Sequence, residues 1–174
     1  EVQNRMKNIL IIGGSGQVGS DVISKYPEIF FSPSSIDLDI LEKKSIKEFL
    51  DKKNIDLIIN FATFTKVDEA EEKKKIATEL NYKGALNLAN AASLKEIGVI
   101  HFSTDYVFGD NNEGINLPND KVSPINYYGF TKSLGEKAIL DNCALGFIVR
   151  LASVYGRFGD NFIKTIMKLI LTSE

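Results

Sequence analysis

The stretch Ile9-Leu10-Ile11-Ile12-Gly13-Gly14-Ser15-Gly16-Gln17-Val18-Gly19 decides the fold. A short apolar run that stops at a glycine reads as a strand buried on both faces. Gly13, Gly16 and Gly19 follow with the spacing Gly-x-x-Gly-x-x-Gly. Glycine lets the chain turn sharply and lets a backbone approach a pyrophosphate closely. Val18, Val22 and Ile23 then recur at helical spacing as far as Tyr26-Pro27. A helix N-terminus placed there offers free N–H groups and a positive partial charge to phosphates. The competing reading, a tight turn packing helix on strand, explains the glycines equally well in isolation. Their position at the first strand-to-helix junction favours a dinucleotide.

Outward from this junction, strands and helices alternate. Ile29–Ser32 reads as a second strand, Lys44–Lys53 as a helix with Ile46, Phe49 and Leu50 inward, and Asp56–Phe61 as a third strand. Asp68–Ala92 reads as a long helix with a break near Asn81, and Val99–Ser103 as a fourth strand. A loop rich in Gly, Asn, Asp and Pro spans Phe108–Asn126. Tyr128–Asn142 is a helix, Phe147–Leu151 a fifth strand and Phe162–Leu171 a last helix. This order implies an α/β fold, a Rossmann-type doubly wound parallel sheet with right-handed crossovers. The expected domain is residues 6–174, an NAD(P)-binding unit. Residues 1–5 read as an extension ahead of Met6, and the sheet is expected to lack a second, C-terminal lobe.

The 174 residues suffice for one domain with a sizeable core. A net charge of −2 with no basic cluster speaks against nucleic acid. No apolar run is long enough to cross a bilayer, and no signal peptide is visible. The single cysteine, Cys143, excludes an internal disulfide and reads as a small apolar filler in a reducing, cytoplasmic setting. His101 is the lone histidine, so no histidine cluster can hold a metal; it reads as structural. In Glu69-Ala70-Glu71-Glu72-Lys73-Lys74-Lys75 the spacing sets Glu69 over Lys73 and Glu71 over Lys75, a solvated helix face.

Chemistry-bearing residues gather at the predicted carboxyl ends of strands, where such folds bind ligands. Thr104 ends the fourth strand; its hydroxyl is placed either to donate to a substrate carbonyl or to satisfy backbone. In Tyr127-Tyr128-Gly129-Phe130-Thr131-Lys132, Tyr128 and Lys132 share one helix face. A lysine held there favours the phenolate and lowers the tyrosine pKa. A phenol so tuned passes a proton to or from an oxygen near neutral pH. Asn60-Phe61-Ala62-Thr63-Phe64-Thr65 ends the third strand with small and hydroxyl residues that can touch a cofactor. Asn81, unfavoured inside a helix, either braces this region through backbone bonds or is exposed. After the second strand stands Ser32-Pro33-Ser34-Ser35, neither the acid that holds a ribose 2′-hydroxyl nor the arginine that holds a 2′-phosphate, so NAD and NADP both remain open. Asp37-Leu38 or Asp39-Ile40 can meet an adenine, or cap a strand end.

These motifs, in this order, resemble the extended short-chain dehydrogenase/reductases, and within them the dTDP-4-dehydrorhamnose reductase branch, the RmlD-like sugar-nucleotide reductases. The matching stretches are Gly13–Gly19, Asp39-Ile40, Asn60–Glu71, Ser103–Phe108, Ser123–Gly129, Thr131-Lys132 with Gly135-Glu136-Lys137, and Arg150 with Val154-Tyr155-Gly156. The resemblance implies a catalytic trio of Thr104, Tyr128 and Lys132. It implies cofactor contacts at Gly13, Gly16, Gln17, Val18, Gly19, Ala62, Thr63, Phe64, Thr65, Phe102 and Lys132, and favours Asp39-Ile40 at the adenine. Thr104, Asp105 and Ser153 fall at the substrate. Asp105-Tyr106 lacks the acidic pair of the related dehydratases, so the resemblance implies reduction rather than elimination. Where the branch typically reads Arg-Thr-Ser-Trp, this chain reads Arg150-Leu151-Ala152-Ser153, and the sugar stays open.

The expected function is therefore an NAD(P)H-dependent reductase of a 4-keto nucleotide sugar in nucleotide-sugar biosynthesis. Its expected partners are a nucleotide sugar and a second copy paired through helices near 68–92 and 128–142. The rival reading is a non-catalytic dinucleotide-binding regulatory subunit resembling the β subunit of methionine adenosyltransferase.

Overall fold

The computed structural model describes residues 8–110 and 114–172. The expected extension at residues 1–5 and start at Met6 lie outside them. Strands Ile9–Ile12 (β1), Phe30–Phe31 (β2), Leu57–Asn60 (β3), Gly98–Thr104 (β4) and Gly146–Leu151 (β5) form one parallel sheet in the order β2-β1-β3-β4-β5. The chain leaves β1 toward β2 and returns to place β3 on β1's other side. That reversal opens a crevice beyond the carboxyl ends of β1 and β3, the switch point at which doubly wound sheets take ligands.

Helices Gln17–Lys25 (α1), Lys43–Lys52 (α2), Val67–Glu72 (α3), Lys74–Thr78 (α4), Ala85–Ser93 (α5), Tyr127–Asn142 (α6) and Phe162–Thr172 (α7) connect or follow the strands. The core lies where α2, α5 and α6 meet the sheet. Leu10, Ile46, Ile58, Leu88, Val99 and Ile139 are fully enclosed there, with Cys143 as the expected filler. Ile46 and Leu50 are buried and Phe49 packs against them, as the helical spacing of α2 predicts. β2 is shorter than the expected Ile29–Ser32: only Phe30 and Phe31 pair, with Ile9 and Leu10 of β1.

The largest departure is the expected helix 68–92. Lys73, with φ −99° and ψ 42°, breaks it between α3 and α4. A π-helical turn at Glu79–Gly84 then joins α4 to α5. Asn81 sits in that turn, fully buried. Glu69 pairs with Lys73 as expected. Glu71 does not pair with Lys75; its Oε1 accepts the Tyr127 N–H at 2.7 Å, because the break turns it toward α6.

Candidate functional site

The glycine turn has the geometry its sequence requires. Gly13 has φ +77°, and a Cβ there would lie 2.5 Å from the Ala62 nitrogen, so the two strand ends can touch only through glycine. A Cβ on Gly19 would lie 2.6 Å from the Gly13 carbonyl, which fixes how closely α1 packs on β1. Gly16 caps α1 without any side-chain hydrogen bond. The first-turn N–H groups of a helix have no intrahelical partner, so this end of α1 is fitted to an anion. A Cβ on Gly16 would meet nothing nearer than the Gly13 carbonyl at 3.3 Å, leaving its outer side open.

A cleft lies on each side of this turn. The larger, of about 620 Å³, runs from Gly16, Gln17, Val18 and Gly19 to Thr104, Tyr128 and Lys132. Thr63, Thr65 and Phe102 line it along the way, as do Asp105 and Ser153. The smaller, of about 460 Å³, joins Gly13 and Ala62 to Ser32–Ser35, Asp39 and Ile40. Both volumes fall in the range of small-molecule sites. Set on either side of the uncapped helix end, the two clefts offer separate places for the two halves of a dinucleotide. Asp39 and Ile40 line the smaller cleft and Asp37 does not. Phe64 lines neither cleft. It packs on the satellite cluster of Ala70, Ala77 and Tyr128, and its N–H is bonded to Asn81.

In the larger cleft stand Thr104, Tyr128 and Lys132, each less than 9% exposed. Thr104 Oγ1 accepts the Tyr106 N–H at 3.2 Å and donates to Asp105 Oδ1 at 3.1 Å. Lys132 Nζ donates to the Phe102 carbonyl at 2.6 Å. Burial lowers the Lys132 pKa to about 8, and the Glu136 carboxylate offsets only part of that effect.

The expected lowering of the Tyr128 pKa is not what the structure gives. Its pKa is raised, first by burial and then by the charge of Asp105 and by Tyr106, while the Thr104 hydroxyl pulls the other way. The i,i+4 spacing is real, but the ammonium is drawn to the Phe102 carbonyl, and burial disfavours the charged phenolate. Tyr128 therefore holds its proton at neutral pH, the state a proton donor needs. An ammonium carries three donors, so the bond to Phe102 leaves Lys132 capacity toward the cleft.

Buried amides hold these groups in place. Asn81 Oδ1 accepts from Thr63 Oγ1 and from the Phe64 N–H, both at 2.7 Å, and its Nδ2 donates to Thr131 Oγ1 at 2.9 Å. One side chain thus ties the end of β3 to α6. Asn126 caps α6 through the Gly129 N–H at 2.7 Å, and Glu71 adds a carboxylate at the same helix N-terminus. A Cβ on Gly129 would lie 2.1 Å from the Tyr106 carbonyl, so glycine lets this turn press Tyr128 against the end of β4. The Tyr106 and Tyr128 rings meet edge to face, 5.8 Å apart. His101 is buried on β4. The Asn60 amide oxygen is taken by the Ala62 N–H, so its Nδ2 donates to His101 Nδ1 at 2.9 Å. The ring is a structural, neutral imidazole, its pKa driven well down by burial.

Three contributors escaped the sequence reading. In the sequence Glu71 reads as a solvated charge, and only the break at Lys73 gives it away. Gly159 and Asp160 line the larger cleft, on a loop whose Val154 carbonyl accepts from Gln17 Nε2 at 3.3 Å. Gly156 and Gly159 were the available signal: Gly159 has φ +66°, and a Cβ on Gly156 would lie 2.3 Å from Asp21 Oδ2. Ser153 precedes this loop in a left-handed conformation, with φ +47°.

The chain matches the RmlD substrate binding domain family over residues 6–174. It is 36% identical over 171 residues to a dTDP-4-dehydrorhamnose reductase of Salmonella typhimurium, covering 93% of this chain and 56% of that protein. It is 36% identical to a dTDP-4-keto-6-deoxy-D-glucose reductase of Streptomyces niveus, covering 92% of this chain and 57% of that one. Among solved structures, the dTDP-4-dehydrorhamnose reductase of Bacillus anthracis in complex with NADP superposes with a TM-score of 0.90. The two are 34% identical, covering 97% of this chain and 61% of the other. The chain thus spans less than two thirds of the length of these relatives. The match runs continuously through the glycine turn, the Thr104 strand and the Tyr128 helix, and on it this chain belongs to the RmlD substrate binding domain family.

Proposed function

We propose that this chain is the cofactor-binding part of an NAD(P)H-dependent reductase of a 4-keto nucleotide sugar, acting in nucleotide-sugar biosynthesis. The carrying observation is the pair of clefts on either side of an uncapped helix N-terminus, the larger lined by a protonated Tyr128 with Thr104 and Lys132. The names of the relatives support the substrate class. The unit is taken as a single NAD(P)-binding domain over residues 6–174.

A reduced nicotinamide bound here supplies hydride to the keto carbon. The N–H groups at Gln17, Val18 and Gly19 hold the pyrophosphate, and Asp39 with Ile40 holds the adenine end. Thr63 and Thr65 flank the cofactor. Thr104 orients the keto oxygen, with Asp105 and Ser153 at the sugar. Tyr128 delivers its phenolic proton to that oxygen as negative charge develops there. Lys132, one helical turn on, supplies the positive charge that favours the phenolate left behind and holds the nicotinamide ribose. The active form is a homodimer in the cytoplasm, paired through α3–α5 and α6, where Ile76 and Phe130 stand exposed.

The test is Tyr128→Phe in the whole protein, followed by loss of nicotinamide absorbance with a panel of 4-keto nucleotide sugars. Removing the proton donor is expected to slow turnover by roughly 10²–10⁴-fold. Unchanged turnover with every sugar would remove Tyr128 from the mechanism.

A further inference from the structure

The smaller cleft ends in a group of hydroxyls. Ser32, Ser34 and Ser35 follow β2 and line the cleft together with Asp39, Ile40 and Leu80. In a doubly wound fold this strand end meets the adenosine ribose, where an arginine accommodates a 2′-phosphate. No lysine or arginine is among the described residues that line the cleft. The one acidic side chain among the described residues that line it is Asp39, whose Oδ1 accepts the Leu41 N–H at 2.8 Å. A second carboxylate stands at the rim, because Ser34 Oγ donates to Asp37 Oδ2 at 2.7 Å. The Asp37 N–H bonds back to Ser34, so the turn holds this carboxylate in place.

We infer that this cleft selects an unphosphorylated adenosine ribose, so that the protein binds NADH in preference to NADPH. The inference rests on the dinucleotide reading of the two clefts and adds the choice between the two cofactors. A ribose diol finds hydroxyl acceptors in the serines and a carboxylate acceptor in Asp39. A 2′-phosphate finds no cation and meets the charges of Asp37 and Asp39. Like charges set side by side without a counter-ion are a recognised device for rejecting a wrong ligand.

The experiment measures the dissociation constants of NADH and NADPH for the whole chain from the change in nicotinamide fluorescence. Competition by 5′-AMP and by 2′,5′-ADP gives a second readout confined to this cleft. NADH is expected to bind at least about tenfold more tightly than NADPH, a difference of about 1.4 kcal/mol. The gap is expected to narrow as salt is raised, because screening weakens the repulsion of the phosphate. Ser34→Arg supplies the missing cation and is expected to bring the two affinities together or reverse them. Asp37→Asn is expected to narrow the gap several-fold; both positions are exposed, so neither change disturbs the core.

NADPH binding as tightly as NADH to the unaltered chain would overturn the inference while leaving the dinucleotide reading intact. So would an NADH preference that Ser34→Arg and Asp37→Asn both leave unchanged. Binding of neither nucleotide would overturn the dinucleotide reading and this inference with it.

Discussion

Replacing Lys132 by methionine should make the fold more stable near neutral pH even as it disables the proposed chemistry. Lys132 is 1% exposed, and burial brings its pKa from 10.5 to about 8. At about 1.4 kcal/mol per pH unit, that displacement corresponds to roughly 3 kcal/mol charged against the folded state. The sign follows from proton uptake. Below pH 8 the lysine is protonated in both states, and the folded state bears the full cost of a buried ammonium. Between about 8 and 10.5 the unfolded chain binds more protons than the folded one, so stability rises with pH and the cost disappears. Methionine keeps most of the apolar stem but abandons the bond to the Phe102 carbonyl. Leaving that carbonyl unpaired costs about 1–3 kcal/mol whatever the pH. The net gain at pH 7 is therefore small, and the decisive quantity is its pH dependence. Urea unfolding of both proteins at pH 7 and pH 10 should show wild type gaining roughly 2–3 kcal/mol relative to Lys132→Met over that interval. Groups common to both proteins cancel in this difference. A stability difference that does not change with pH would refute the buried, destabilised ammonium.

Other changes read out the scaffold. Arg150 Nε and Nη2 donate to the two oxygens of Glu136, which is 5% exposed, and Nη1 donates to the Pro118 carbonyl. Glu136→Gln should therefore cost about 2 kcal/mol in urea unfolding, less than a fully enclosed pair would, because Arg150 keeps some contact with water. An effect below a few tenths would mean that the pair ties α6 to β5 only nominally. Gly129→Ala forces a Cβ against the Tyr106 carbonyl and should cost more than about 2 kcal/mol, with a changed near-ultraviolet spectrum as the Tyr106–Tyr128 contact opens. A variant that melts with wild type and keeps its spectrum would show that α6 can back away freely.

The layout of the fold was legible because buried parallel strands leave short apolar runs that few other elements produce. Ile9–Ile12 has the bounds that its run and Gly13 predict. Boundaries slipped by a residue or two where the final ladder bond is set by a neighbour rather than by the residue itself, as at Thr104, which pairs with Leu151. The cleft was legible for a related reason: strand ends on one edge of a parallel sheet converge whatever their sequence. The state of Tyr128 was not, because spacing carries no information on desolvation, and it is first the burial of the phenol that reverses the expected shift. Nor was the role of Glu71, since an acid in a charged run looks the same whether it faces water or caps another helix. Asn81 lay between these cases. An amide in mid-helix marked an irregularity, but only the structure says what that irregularity holds.

The π-helical turn at Glu79–Gly84 has a consequence for chain length. An α-helix advances by about 100° per residue. A wider turn inserted into it therefore sets the side chains after it out of phase with those before it. Ala77 faces the small cluster under Tyr128, whereas Ala85, Leu88 and Ala92 face the main core, and the turn is the gear between these two orientations. Gly84 lets it mesh, since a Cβ there would lie 2.5 Å from Ile40 Cδ1. Loss or gain of one residue here would be a rotation of everything downstream, not a local shortening. This segment is thus intolerant of insertions and deletions in a way its helical appearance conceals, and its length is under tighter constraint than most of its individual side chains.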